Sequence, residues 1–167
     1  MVSVTHYLEV DRGVFTAENL FRFLHVLGVI VWVGGVLTVN VLQVVIGRGQ
    51  DRAGQAALLR VSDLYGRAIL GPAAAVTVIA GLLTAARLHV SLGTFWVAWG
   101  IAGVIVSIAL GATLIRVTVA KLRQLVADNA FDDPRWPAFR RRLATLYGIN
   151  LLVLVSVVWA MEFKPAL

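Results

Sequence analysis

The sequence predicts an all-α fold, a bundle of four transmembrane helices running antiparallel with both termini outside, and three observations predict it. The first is composition. Of the 167 residues, 59% are apolar and 14% carry charge, against roughly 45–50% and about 25% in an average soluble domain. The second is the gathering of uncharged residues into four runs, 23–46, 68–86, 95–115 and 143–161, which together make 83 residues, about half the chain. A helix rising ~1.5 Å per residue crosses a ~30 Å hydrocarbon layer with roughly 20 apolar residues, so each run can span a bilayer. The third is where the basic residues fall. Arg48, Arg52, Arg60 and Arg67 lie between the first and second runs, and Arg116, Lys121, Arg123, Arg135, Arg140, Arg141 and Arg142 lie between the third and fourth. Short connections rich in Lys and Arg stay on the cytoplasmic side, which orients the bundle.

Spans at about 20–46, 68–88, 94–117 and 143–162 use up the chain, so residues 1–167 read as a single integral membrane domain. A cytosolic enzyme, a secreted module and a nucleic-acid-binding protein are excluded. The net charge of +6 is matched instead to anionic lipid headgroups. The expected location is the cytoplasmic (inner) membrane of a bacterium, crossed several times. With no cysteine there is no disulfide, thiolate metal site or thioether haem attachment.

Taken in order, residues 1–18 read as an exposed tail, with a short interfacial helix starting near Thr16. Span one is too long for the apolar core of a signal peptide, and Glu9, Asp11 and Glu18 precede it, so it is retained as a helix. The first long connection opens with Gly47, Gly49 and Gly54; Leu58, Leu59, Val61, Leu64 and Tyr65 then recur as on a helix. That helix either lies on the membrane surface or extends span two. Span two begins near Pro72, which a first turn tolerates. Span three repeats small residues at Gly103, Ser107 and Gly111, and span two carries Ala73, Ala74, Ala75, Ala80 and Gly81, so helices can approach closely. The same stripes suit a homo-oligomer or docking to other membrane protein subunits. Pro134 and Pro137 break the last long connection with a turn that sets Trp136 at headgroup level.

Few residues carry chemistry. His25 lies early in span one and shares a helix face with Gly28, Trp32 and Gln43. An imidazole inside a membrane needs a partner, which makes His25 either a ligand or a histidine bonded to a neighbouring backbone. His6 and His89 map to the same outer side. His25 and His89 form the candidate ligand pair for a b-type haem, or for copper as the lesser alternative, with Trp32 beside them. Asn40, Gln43 and Asn150 fall at comparable depth near the inner face, where their amides can bond across helices. Trp96, Trp99 and Trp159 suit an interfacial belt or an outward cavity beside His25. Glu162 reads as a solvated end residue. Among the motifs, no nucleophile with a base, paired carboxylates or phosphate loop appears.

The run from Leu24 to Gly35 resembles the first helix of an uncharacterised bacterial family of four-helix integral membrane proteins. It is more distantly similar to HemJ-type protoporphyrinogen oxidases and to the copper-resistance protein D membrane domain. His25, Trp32 and Gly35 match their spacing of His, Trp and Gly; Pro72, Thr77 and Gly81 match in span two, and Lys164-Pro165 at the end. The resemblance implies a bundle with a haem or metal site at His25. The oxidase type, however, has a His and a Lys at the start of span three and a Lys before the first His. This chain has Phe95-Trp96-Val97-Ala98-Trp99 and Arg22 there. The expected function is therefore an accessory or structural subunit of a membrane assembly, with a haem- or copper-binding redox protein as the alternative and porphyrinogen oxidation behind it.

Overall fold

The computed structural model describes residues 16–49 and 51–165, and within them every regular element is helical. Four long helices run up and down: α1 (Ala17–Arg48), α2 (Arg52–Arg87), α3 (Phe95–Ala127) and α4 (Arg135–Phe163). All four are long and apolar enough to cross a membrane. The tail before Thr16, including His6, lies outside the described residues.

Each helix starts and stops for local reasons. Thr16 caps α1, its Oγ1 accepting the Asn19 N–H at 3.3 Å, and Glu18 sits in the positive first turn and pairs with Arg22. The helix foreseen near Thr16 is thus the first turn of α1 itself. Asp51 caps α2 through the Gly54 N–H at 3.0 Å. Both α2 and α3 stop in a left-handed residue. At the end of α2 the N–H groups of His89 and Val90 return to the carbonyls of Ala86 and Ala85; at the end of α3 those of Asn129 and Ala130 return to Val126 and Leu125. This closure satisfies carbonyls that the last helical turn would leave bare.

The helices outrun the expected spans at the arginine-rich end. The α2 segment before span two is a continuous extension of it, starting at Arg52, so Pro72 lies mid-helix. A wide π turn at Gly66–Leu70, closed by the Gly71 N–H on the Gly66 carbonyl, precedes the proline. Pro72 has no N–H to donate and its ring crowds the preceding turn; a widened turn accommodates both effects. A second π turn, Gly111–Ile115, lets α3 run on to Ala127. That extension is legible only from packing: Thr118, Val119, Leu122 and Leu125 face inward at helical spacing, amid polar neighbours. Pro137 sits in the first turn of α4, where its missing N–H costs nothing.

Two apolar clusters hold the bundle. One, at the arginine-rich end, joins Val39, Leu59, Val119, Leu122, Trp136 and Leu143 from all four helices. Trp136 is buried there, edge-on to Phe131 at 4.9 Å. The helical extensions lengthen the interior of the bundle, and the indole fills it. The other cluster centres on Trp32 with Val36, Ala74 and Leu154, against Val104 and Leu70. Here α1 packs along α2, α3 along α4, and α1 against α4, while the second half of α2 and the first half of α3 share no extended contact despite their short connection. Outward, Ile30 and Leu152 are 63% and 71% exposed, which suits acyl chains rather than water.

Glycines set the close approaches. Gly28 abuts Thr77, Gly35 abuts Leu70 and Tyr65, and Gly81 lies under the His25 ring; between α3 and α4, Gly100 meets Met161 and Gly103 meets Val157. The α3 stripe is therefore Gly100, Gly103 and buried Ser107, not a run to Gly111, where a Cβ would meet nothing.

Candidate functional site

His25 occupies the α1–α2 contact, two turns before Trp32 on the same helix. Its Nδ1 donates to the Thr77 carbonyl at 2.8 Å, which fixes the proton on that nitrogen in the neutral ring. Thr77 is set in turn by its own Oγ1, which donates to Ala73 O at 2.8 Å. The imidazole lies against Gly81 so closely that a Cβ there would come within 2.7 Å of Nδ1. Nε2 has no partner among the described residues. Sequence reasoning singled out His25, Thr77 and Gly81 without joining them; helix-to-helix register joins them.

The other candidate ligands are elsewhere. His89 is exposed in the turn after α2, eight residues beyond Gly81 and so about 12 Å further along the axis. It takes the left-handed position of the helix cap, one usually given to glycine. Trp32 is buried in the apolar cluster and fills the bundle interior. The structure thus brings Trp32 into the core, holds His25 on α2, and leaves His89 at the rim. Among the described residues no group of three or more His, Asp or Glu is arranged to hold a metal ion. As a haem or metal ligand, His25 fits as one donor whose second nitrogen is anchored on a carbonyl; a second protein ligand is not set beside it.

The tryptophans at the end away from the arginines belong to the α3–α4 pair. Trp99 stacks on Phe95 and donates Nε1–H to Ser156 Oγ at 3.3 Å, Trp159 packs on Phe163, and Lys164 lies 5.5 Å over the Trp96 ring. Trp99 and Trp159 are exposed, as an interfacial belt requires.

At the opposite end the amides do not bond one another, and one of them acts on backbone. Asn40 Nδ2 donates to Tyr147 O on α4 at 2.9 Å, while Gln43 Nε2 and Asn150 Oδ1 are buried without partners. Arg140 reaches from α4 to the last turn of α1, donating to Gly47 O at 2.9 Å and Gln43 O at 3.4 Å. Cations favour a helix C-terminus, where carbonyls are unsatisfied. Gly47 makes this possible, since a Cβ there would overlap the guanidinium. The only hint in the sequence was a glycine ending span one and an arginine in a basic run. Asp63 gathers Arg67 at 2.5 Å and Arg123 at 2.7 Å, tying α2 to α3.

Four lipid-length helices with a packed interior, a basic end and an aromatic rim at the other define a four-helix integral membrane protein. The chain matches a known family over residues 19–165, all four helices, and it belongs to that family, described as predicted integral membrane protein (DUF2269). The resemblance to an uncharacterised family of integral membrane proteins is thereby borne out, whereas the match does not extend to the HemJ-type oxidases or the copper-resistance protein D domain. No curated protein and no solved structure matches the chain.

Proposed function

We propose that the protein is a non-catalytic accessory or structural subunit of a membrane assembly, docking on other membrane protein subunits or on a second copy of itself. One observation carries this reading: at Gly34, Gly111 and Gly148 a Cβ would meet nothing within 4 Å. In lipid there is no hydrophobic drive between helices, so association depends on close packing at small residues. The glycines that serve the internal contacts are a different set, which leaves these three, together with Gly66 in the π turn of α2, where a Cβ would likewise meet nothing, to a neighbour. Purification into native nanodiscs tests it. The particle should exceed the 18.0 kDa of one chain by a stoichiometric protein companion or a second copy, and Gly34→Leu with Gly148→Leu should release that companion without lowering the melting temperature. A lone monomer in native nanodiscs would refute the reading.

A second reading rests on His25. A histidine whose Nδ1–H is held by a carbonyl while Nε2 stays unengaged has the arrangement of a metal-ligating imidazole. It supports a b-type haem, or copper, at Nε2, with His89 as the proposed second ligand after movement of the turn. A Soret band in protein from haem-replete cells, lost in His25→Ala, would favour it; colourless, metal-free protein would remove it. Porphyrinogen oxidation would be chemistry of that haem, and failure to rescue cells lacking their own oxidase would count against it.

A further inference from the structure

The arginine-rich end carries a cleft that neither reading uses. It lies between the last turn of α1 and the first turns of α4, with a volume of about 560 Å³, and adjoins a void of about 10 Å³ that shares Gln43, Gly47, Gln55, Trp136 and Arg140 with it. It is a broad groove open to the surroundings rather than an enclosed pocket.

The polar side chains facing the cleft are mostly donors. Gln43 is 8% exposed and its Nε2 lacks an acceptor, an arrangement that buried amides rarely tolerate. Arg140 spends two of its five N–H groups on α1 carbonyls, and Arg141 beside it has no acidic partner among the described residues. Arg52, at the cleft's edge, is already neutralised by Asp132 at 2.6 Å. Asp51 is engaged in capping α2. Two guanidinium groups line the cleft with the Gln43 amide in its buried wall, and no carboxylate is among the lining residues; this set suits an anion with several acceptor oxygens, and the guanidinium fork matches phosphate.

The apolar walls select the source. Val44 of α1 and Ala144 of α4 also line the cleft, and both belong to the uncharged, membrane-crossing runs. They set an apolar wall beside the arginines, a surface that acyl chains can cover and an inorganic ion cannot use. We infer that this cleft binds the phosphate of an anionic membrane lipid, with Arg140, Arg141 and Gln43 as donors and the acyl chains against Val44 and Ala144.

Native mass spectrometry of the full chain, released from micelles containing phosphatidylglycerol or phosphatidylcholine, tests this. At ~1 kcal/mol per arginine near an anionic headgroup, phosphatidylglycerol should be retained about thirtyfold over phosphatidylcholine, and Arg141→Gln should lower retention about fivefold. Gln43→Leu, which removes the donor while keeping an apolar-compatible shape, should also lower it. Arg60→Gln, an exposed arginine on α2 outside the cleft, should leave it unchanged. Equal retention of the two lipids, or equal losses in Arg141→Gln and Arg60→Gln, would overturn the site. Displacement of phosphatidylglycerol by millimolar inorganic phosphate would overturn the lipid assignment.

Discussion

Gly81→Ala is the sharpest test of the α1–α2 contact. The new methyl would sit 2.7 Å from His25 Nδ1 and 2.9 Å from Cε1, so the ring must move, and its 2.8 Å bond to Thr77 O must lengthen or break. Overpacking of this kind costs typically 1–3 kcal/mol, and the lost bond about 0.5–1.5 kcal/mol. Alanine recovers roughly 1 kcal/mol of helix propensity over glycine. The net is a destabilisation of about 0.5–3.5 kcal/mol. Gly34→Ala is the matched control, because nothing lies within 4 Å of its Cβ; propensity alone should stabilise it by up to about 1 kcal/mol. Denaturant unfolding in micelles, followed by tryptophan fluorescence, gives both numbers. If Gly81→Ala is as stable as Gly34→Ala, the imidazole does not sit where the geometry has it, and the reading of His25 fails with it.

The remaining predictions follow from the caps and the turn. His89 holds φ 52° at the end of α2, a conformation that costs a side chain roughly 1–2 kcal/mol; His89→Gly should raise stability by about 0.5–1 kcal/mol in the same unfolding assay, and a fall would show that the histidine makes a contact of its own. In the turn before α4, hydrogen bonds from the Arg135 side chain and backbone hold the Asp133 carboxyl down, from 3.8 to about 2. Because the folded value is the lower one, the pairing's contribution is complete above pH 3.8 and fades as pH falls toward 2. A carboxyl NMR titration that places Asp133 at an ordinary aspartate value would contradict the Arg135 geometry.

Much of the architecture could be read from composition alone. Lipid imposes a length on every span and tolerates almost no charge along it, so four uncharged runs of about 20 residues dictate four crossing helices. The same patterning hid what lay beyond the lipid. Residues 116–127 look like a polar connection, yet they form helix because Leu122 and Leu125 find Leu143 and Trp136 across the bundle. Prolines misled in the other direction: Pro72 reads as a start, but a preceding π turn lets the helix run through it.

The candidate residues divide in the same way. That His25 needs a partner follows from the cost of an imidazole in hydrocarbon; that the partner is the Thr77 carbonyl, reached across Gly81, depends on the register of α1 against α2. His89 shared its residue type and its side of the membrane with His25, but its backbone role as a helix stop is invisible without the dihedral angle. Trp32 belonged to the right face and ended in the core, since α2 and α3 stand apart around it. The sequence by itself determined the solvent, the number of spans and their lengths, because those depend on local hydrophobicity summed along one chain. Only the tertiary structure decided which glycine meets which ring and where Arg140 lands on α1, because such contacts join residues 50 to 100 positions apart through packing that no local pattern encodes.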